Sequence, residues 1–184
     1  MTLKEVIGTT YEPISLDEAK DHLRVTGTDE DSYIVALITV ARKYVENDLG
    51  DTLHSATFDY FLDEFPSGDI ELPNPPLIDV THVKYYDADN TLQTLVEDTD
   101  YRVDSNAIPG IIEVIDSWPY SYDRTSAVQI RFTAGYDDFS DIDPMAVHAM
   151  KIKLALLYDK RDGVDEKMEQ GLDKILQKLR KTRF

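Results

Sequence analysis

Hydrophobic residues recur at helical spacing towards both ends of the chain and alternate with polar residues in its middle. Residues 15–50 and 144–181 have apolar positions three or four residues apart, as in amphipathic helices. Residues 53–134 are richer in prolines and in alternating β-branched or aromatic positions. The pattern predicts an α+β protein: a small bundle of about four helices (residues 1–52 plus 143–184) with an inserted antiparallel β subdomain (residues 53–142) of about six strands.

The first two helices have clear start and stop signals. Ser15 followed by Glu18 forms a capping box, which predicts a short helix that ends near Val25. A second helix begins after Thr28 and stops at Gly50, a residue suited to the left-handed helix end. Its apolar stripe consists of Ile34, Leu37, Ile38, Ala41, Val45 and Leu49.

The third helix is predicted to begin at Pro144, capped by Asp143, and to end at Asp162-Gly163. A fourth runs from about Asp165 to Lys181. The apolar surface of the third helix is wider than one partner helix needs, which favours contacts with other copies of the chain. The residues proposed for those contacts are Met150, Leu154, Leu157 and Tyr158.

The clearest strand signals lie at two places in the middle. Val128, Ile130 and Phe132 alternate with polar residues, which predicts a half-buried strand. Asp87–Asn90 predicts a hairpin turn rather than a calcium loop, because the expected turn glycine and bidentate glutamate are absent. No helix fits between the strands, so antiparallel pairing is expected.

The net charge of −17 is distributed unevenly over the 184 residues. Residues 52–143 carry a net charge of −15, whereas residues 144–184 carry +4. Such a chain is not a general nucleic-acid binder, because phosphate contacts need clustered Lys and Arg. The absence of cysteine excludes disulfides and thiolate metal sites. No signal-peptide layout and no membrane-spanning apolar run is present.

The sequence contains no nucleotide-binding, nucleophile-elbow or His-Glu-x-x-His motif, and no cofactor is expected. One acidic cluster, formed by Asp137, Asp138, Asp141 and Asp143, has a spacing that could hold a cation. The alternative is a solvated loop that leads into a helix cap. A metal-dependent hydrolase that uses these carboxylates therefore stays open as a second functional class.

Two exposed segments predict protein interfaces. Trp118, Tyr120 and Tyr122 lie in one loop between strands, and such aromatic residues either mediate contacts or roof the β layer. The basic end predicts a docking tail for an acidic partner, or else a solvated helix face. The residues of this predicted tail are Lys174, Lys178, Arg180, Lys181, Arg183 and Phe184.

An ordered set of segments resembles the head–tail connector proteins of long-tailed bacteriophages. It starts at residues 13–25 (PISLDEAKDHLRV) and continues through the acidic start and body of the second helix. Further matching segments are Phe65-Pro66, residues 70–73 (IELP), residues 75–77 (PPL), residues 83–87 (VKYYD), residues 101–104 (YRVD), residues 128–136 (VQIRFTAGY) and residues 144–158. The resemblance covers roughly residues 11–162.

The resemblance implies a structural adaptor in the virion, with no enzymatic activity, that assembles in the host cytoplasm from a phage or prophage gene. Such adaptors form a ring, commonly of twelve copies, under the portal protein. They extend the DNA channel without binding DNA specifically, and they dock a stopper or tail protein. The helical bundle would form the ring, and residues 165–184 would dock to the portal. A stopper or tail terminator is the alternative within phage assembly, although those proteins are mostly β-rich.

Overall fold

The computed structural model describes residues 1–8, 11–159 and 166–181, and the chain divides into two compact units. One unit is β-rich and comprises Met1–Thr9 and His54–Asp137. The other is helical and comprises Thr10–Leu53 and Asp138–Phe184. The fold is α+β, as the sequence predicts. None of the described helices is both long and apolar enough to cross a membrane.

The helical unit contains four α-helices within its described residues: α1 (Leu16–Leu23), α2 (Asp31–Leu49), α3 (Pro144–Asp159) and α4 (Glu166–Lys181). The predicted capping box is confirmed, because Ser15 and Glu18 each accept a hydrogen bond from the other's backbone N–H. Gly50 ends α2 with a φ of 72°. Asp143 caps α3 by accepting a hydrogen bond from the N–H of Met145 at 2.7 Å. The predicted stop at Asp162-Gly163 lies outside the described residues.

The core of the helical unit forms where α3 packs against α1, α2 and α4. Five members of the predicted α2 stripe are buried, and Leu49 is half-buried. From α4, the residues Leu172, Leu176 and Leu179 are buried. The wide apolar surface of α3 is therefore largely covered by three helices of the same chain.

Within its described residues, the β unit holds eight strands in two antiparallel sheets, against about six predicted. They are β1 (Thr2–Ile7), β2 (Ala56–Leu62), β3 (Ile70–Glu71), β4 (Leu77–Tyr86), β5 (Leu92–Leu95), β6 (Tyr101–Asp104), β7 (Ile111–Val114) and β8 (Val128–Ala134). The larger sheet has the order β1-β2-β8-β4-β5, and the smaller has the order β3-β7-β6. β1 was not expected, since the sequence pattern groups the first residues with the helices.

Strand β8 organises the larger sheet because it lies between β2 and β4. Its predicted alternation is confirmed: Val128, Ile130, Phe132 and Ala134 are buried, and the residues between them are half-buried. Phe132 stacks on Phe58 of β2 with ring centroids 5.5 Å apart. Residues of both sheets share one hydrophobic cluster. The predicted Asp87 turn is also confirmed, since Asp87 accepts hydrogen bonds from the N–H groups of Asp89 and Thr91.

Candidate interaction surfaces

Helix α2 exposes a second apolar stripe, which lies beside its buried stripe on the helix surface. Tyr33, Val40 and Tyr44 are spaced by seven and four residues, which places them on one side of the helix, and all three are exposed. The sequence carries this signal as a second apolar series along α2. It is easily overlooked beside the stronger buried stripe, because both series have the same helical spacing.

Helix α3 extends this apolar stripe. The ring of Tyr158 is tilted against that of Tyr33 at a centroid distance of 6.2 Å, and its hydroxyl donates to Glu30. The ammonium group of Lys153 lies 3.6 Å from the ring centroid of Tyr44, a cation–π contact. Leu157 is half-buried nearby in sequence. We call the surface formed by Tyr33, Val40, Tyr44 and Tyr158 the α2–α3 face.

Two of the predicted oligomer contacts are not on a surface. Met150 and Leu154 are completely buried in the helical unit. A side chain with no exposed area has nothing to offer a second copy, so these two residues are corrected to core residues. Leu157 and Tyr158 are only half-buried, so both stay predictions as contacts between copies.

The basic side chains of α4 are exposed at Lys174, Lys178 and Lys181. Arg180 is also exposed, but one of its guanidinium nitrogens lies 2.9 and 3.0 Å from the carboxylate oxygens of Asp48 on α2. It is therefore already engaged within the helical unit. The predicted docking residues Arg183 and Phe184 lie outside the described residues.

The aromatic loop of the β unit divides into a packed part and an exposed part. Trp118 stacks on Phe65 with ring centroids 4.8 Å apart, and its indole N–H donates to the carbonyl oxygen of Gly68 at 2.7 Å. Trp118 therefore roofs the β layer. Tyr120 and Tyr122 are exposed, and 71% of the Tyr120 surface is accessible.

Two grooves of about 370 and 500 Å³ lie along this loop. Both are lined by Glu64, Tyr120 and Ser121. The smaller also includes Trp118, and the larger includes Tyr122. The predicted loop interface therefore coincides with two concave surfaces that share Tyr120.

The acidic cluster is organised around backbone groups. The carboxylate of Asp138 accepts a hydrogen bond from the N–H of Ser140 at 2.8 Å, which caps a short 3₁₀ helix (Phe139–Asp141). This hydrogen bond lowers the pKa of Asp138. Asp143 caps α3. Within residues 1–8, 11–159 and 166–181, no group of three or more potential ligands is placed to hold a metal ion.

The half-buried face of the larger sheet carries an ion pair. Two guanidinium nitrogens of Arg131 on β8 lie 2.7 and 2.8 Å from the two carboxylate oxygens of Asp59 on β2. The hydrogen bond from Arg131 lowers the pKa of Asp59. His82 on β4 pairs with Arg131 in the strand register, and burial lowers the pKa of this histidine. These residues lie side by side across three strands of the larger sheet.

The described residues thus include exposed apolar and aromatic side chains on both units, and two carboxylates of the acidic cluster serve as helix caps. The family model of phage gp6-like head–tail connector proteins matches residues 13–117, which is more than half of the chain. The chain belongs to this family of structural connectors. The family resemblance of the sequence is thereby confirmed.

Solved structures show the same fold. The chain is similar to a protein in the neck of an empty gene transfer agent particle computed with C6 symmetry, with a TM-score of 0.83 and 24% identity. It is similar to proteins in the native virion of a gene transfer agent (TM-score 0.81, 24% identity) and in a native neck computed with C12 symmetry (0.80, 21%). Each comparison covers 98% of this chain and 95% of the other. No curated protein matches the sequence.

Proposed function

We propose that this chain forms a ring in the neck of a phage or phage-like particle, where it joins the portal protein to a stopper or tail protein. The observation that carries the proposal is the family match together with a fold shared over 98% of the chain with proteins of a particle neck. Because the related neck was computed with C12 symmetry, a ring of twelve copies is the expected assembly. The role is structural rather than catalytic, and assembly takes place in the host cytoplasm, from a phage or prophage gene.

The α2–α3 face is the proposed contact between copies. An exposed stripe of two tyrosines and a valine on α2, continued by Tyr158, supplies the aromatic and aliphatic area that protein interfaces use. Leu157, which precedes Tyr158 and is half-buried, is proposed as a further contact. In a ring this contact would be heterologous, because each copy offers one surface to one neighbour and a different surface to the other.

The β unit is the proposed lining of the DNA channel. Residues 54–137 carry 16 acidic and four basic side chains. A channel wall of this charge repels the phosphate backbone, so DNA passes without being held.

Helix α4 is the proposed portal contact, through Lys174, Lys178 and Lys181. Removal of residues 167–184 is not a clean test of this contact. The deletion would also remove Leu172, Leu176 and Leu179, which are buried in the helical core. Substitution of the exposed lysines tests docking without opening the core.

The ring proposal is tested with two valine variants. Val40→Asp places a charge on the α2–α3 face, whereas Val35→Asp changes an equally exposed valine (47% against 48%) on another side of the same helix. Each protein is added to portal-bearing capsids, and rings are counted by cryo-electron microscopy. Wild type and Val35→Asp should give rings, and Val40→Asp should give none while keeping its helical circular dichroism.

Two results contradict different parts of the proposal. Rings of Val40→Asp as abundant as those of wild type would show that the α2–α3 face is not the ring contact. A wild-type protein that joins no portal-bearing capsid would refute the connector role itself.

A further inference from the structure

The grooves beside Tyr120 carry more negative charge than the described residues neutralise. The carboxylates of Glu64, Asp116 and Asp123 are exposed and line one or both grooves. None of the three makes a hydrogen bond or ion pair with any residue in the described ranges. Asp63 differs, because it accepts a hydrogen bond from the N–H of Ser126 at 2.8 Å.

The basic residue on the groove walls, Arg124, contacts residues other than these carboxylates. The guanidinium of Arg124 lies 4.0 Å from the ring centroid of Tyr86 and donates to the side-chain oxygen of Asn90 at 3.2 Å. Arg124 is thus occupied at the β4–β5 turn. The three carboxylates keep their negative charge open to a partner.

Aromatic side chains line the grooves beside these carboxylates, and one of them is held in place by its contacts. Trp118 is held by its stack on Phe65 and by its hydrogen bond to Gly68, so it does not have to be ordered on binding. Tyr120 rises beside it as an exposed ring shared by both grooves. Aromatic faces next to carboxylates attract a Lys or Arg head group by cation–π and ionic contacts, and they pack against its aliphatic stem.

We propose that these two grooves bind an extended, lysine- or arginine-bearing segment of the protein that joins the connector in the neck. The cationic head groups would lie between Glu64, Asp116 and Asp123, and one stem would pack on Tyr120. This inference names the partner chemistry of the predicted loop interface and rests on the proposed function for the identity of that partner. The occupant is chosen by charge complementarity, since the groove walls offer three uncompensated anions and one engaged cation.

Trp118 provides the readout, because it is the only tryptophan in the chain. The probe is the capped peptide Gly-Lys-Pro-Leu-Arg-Pro-Lys-Gly, with the same peptide bearing Gln at its three basic positions as the uncharged comparison. Tryptophan fluorescence of the full-length protein is titrated with each peptide at low and at physiological salt. The basic peptide should give a saturable change that weakens with salt, and the Gln peptide should give none.

Matched variants then locate the binding. The groove triple variant Glu64→Gln, Asp116→Asn, Asp123→Asn should weaken binding about tenfold, as expected for the loss of three exposed charge pairs. The control triple variant Asp89→Asn, Glu113→Gln, Asp141→Asn removes the same charge elsewhere and should bind as wild type does. Tyr120→Ala should weaken binding, whereas Tyr120→Phe should retain it because the ring is kept.

Two results with the wild-type protein would overturn the proposal: no response to the basic peptide at low salt, or an equal response to the Gln peptide. Equal weakening of peptide binding in the control triple variant would also overturn it. So would binding that only a peptide of residues 173–181 produces. The last result would assign the grooves to α4 of a second copy. Ring formation on portal-bearing capsids is measured separately for the groove triple variant and should be unchanged. A failed ring assay with wild type would refute the connector role and leave the peptide result standing.

Discussion

The guanidinium of Arg42 on α2 binds the carboxylate of Glu12, with the Nε–Oε2 distance at 2.7 Å, although the two residues are 30 positions apart. A second nitrogen of Arg42 lies 2.7 Å from Glu46, whose other oxygen accepts a hydrogen bond from the N–H of Leu53. Glu12 precedes α1 and Leu53 follows α2. One buried arginine therefore fastens the segments that enter and leave the first two helices.

We expect Arg42→Met to lower the free energy of unfolding by about 3 kcal/mol, because it leaves two largely buried carboxylates without their cation. Urea unfolding followed by circular dichroism measures the change. Lys43→Met is the control, since Lys43 is exposed on the same helix and its substitution should stay within about 0.5 kcal/mol. If both substitutions lowered the free energy of unfolding equally, the stabilising role of the Arg42 ion pairs would be contradicted.

Because of the Asp59–Arg131 ion pair, the free energy of unfolding should depend on pH in the acidic range. The folded-state pKa of Asp59 lies below its ordinary value because Arg131 donates to the carboxylate. The stabilisation is therefore complete above the unfolded-state pKa, at about 3.9, and is lost as the pH falls through the lower folded-state value. Asp59→Asn should cost about 2 kcal/mol at neutral pH. The difference in the free energy of unfolding between variant and wild type should begin to narrow below pH about 4, where the carboxyl of the unfolded state takes up a proton, and should close as the pH falls through the lower folded-state pKa. If the difference in the free energy of unfolding stayed constant from pH 7 to 3, the Asp59–Arg131 pair would not be the cause of the pH dependence.

If α4 binds the portal, substitution of its exposed lysines should weaken portal binding, whereas substitution of lysines outside α4 should not. The double variant Lys174→Gln, Lys181→Gln should weaken binding to purified portal about fivefold, because each exposed pair contributes a fraction of a kcal/mol. Lys4→Gln, Lys43→Gln removes the same charge outside α4 and should bind normally. Surface plasmon resonance on immobilised portal gives both values. Equal weakening in the two variants would indicate a general charge effect instead of docking by α4.

The acidic loop is expected to act as a pair of caps and to have no metal-dependent activity. Calorimetry with Ca²⁺, Mg²⁺ and Mn²⁺ should give no saturable heat, and chelator should leave the melting temperature unchanged. Asp143→Ala should destabilise the protein by about 1 kcal/mol, because the N-terminus of α3 loses its side-chain acceptor. Saturable metal binding that disappears in Asp138→Ala would revive the hydrolase alternative.

Local signals in the sequence determined the helices, the α+β class and much of the β unit. Ser15 with Glu18, Gly50, and Asp143 with Pro144 mark helix ends through neighbouring residues alone, so no distant contact is needed to interpret them. The alternation in β8 is equally local. The charge asymmetry, the exposed loop residues Tyr120 and Tyr122, and the family resemblance could likewise be found from the sequence alone.

Only the tertiary structure decided which side of each helix is buried and which is exposed. Helical spacing identifies apolar faces but cannot count the helices that cover them, so Met150 and Leu154 proved to be core and Tyr33, Val40 and Tyr44 proved to be surface. The pairing of β1 with β2, between residues 50 or more positions apart, has no local signature. The Arg42–Glu12 and Asp59–Arg131 pairs arise in the same way. An ion pair between distant residues depends on the packing that brings them together, and that packing is a property of the whole fold.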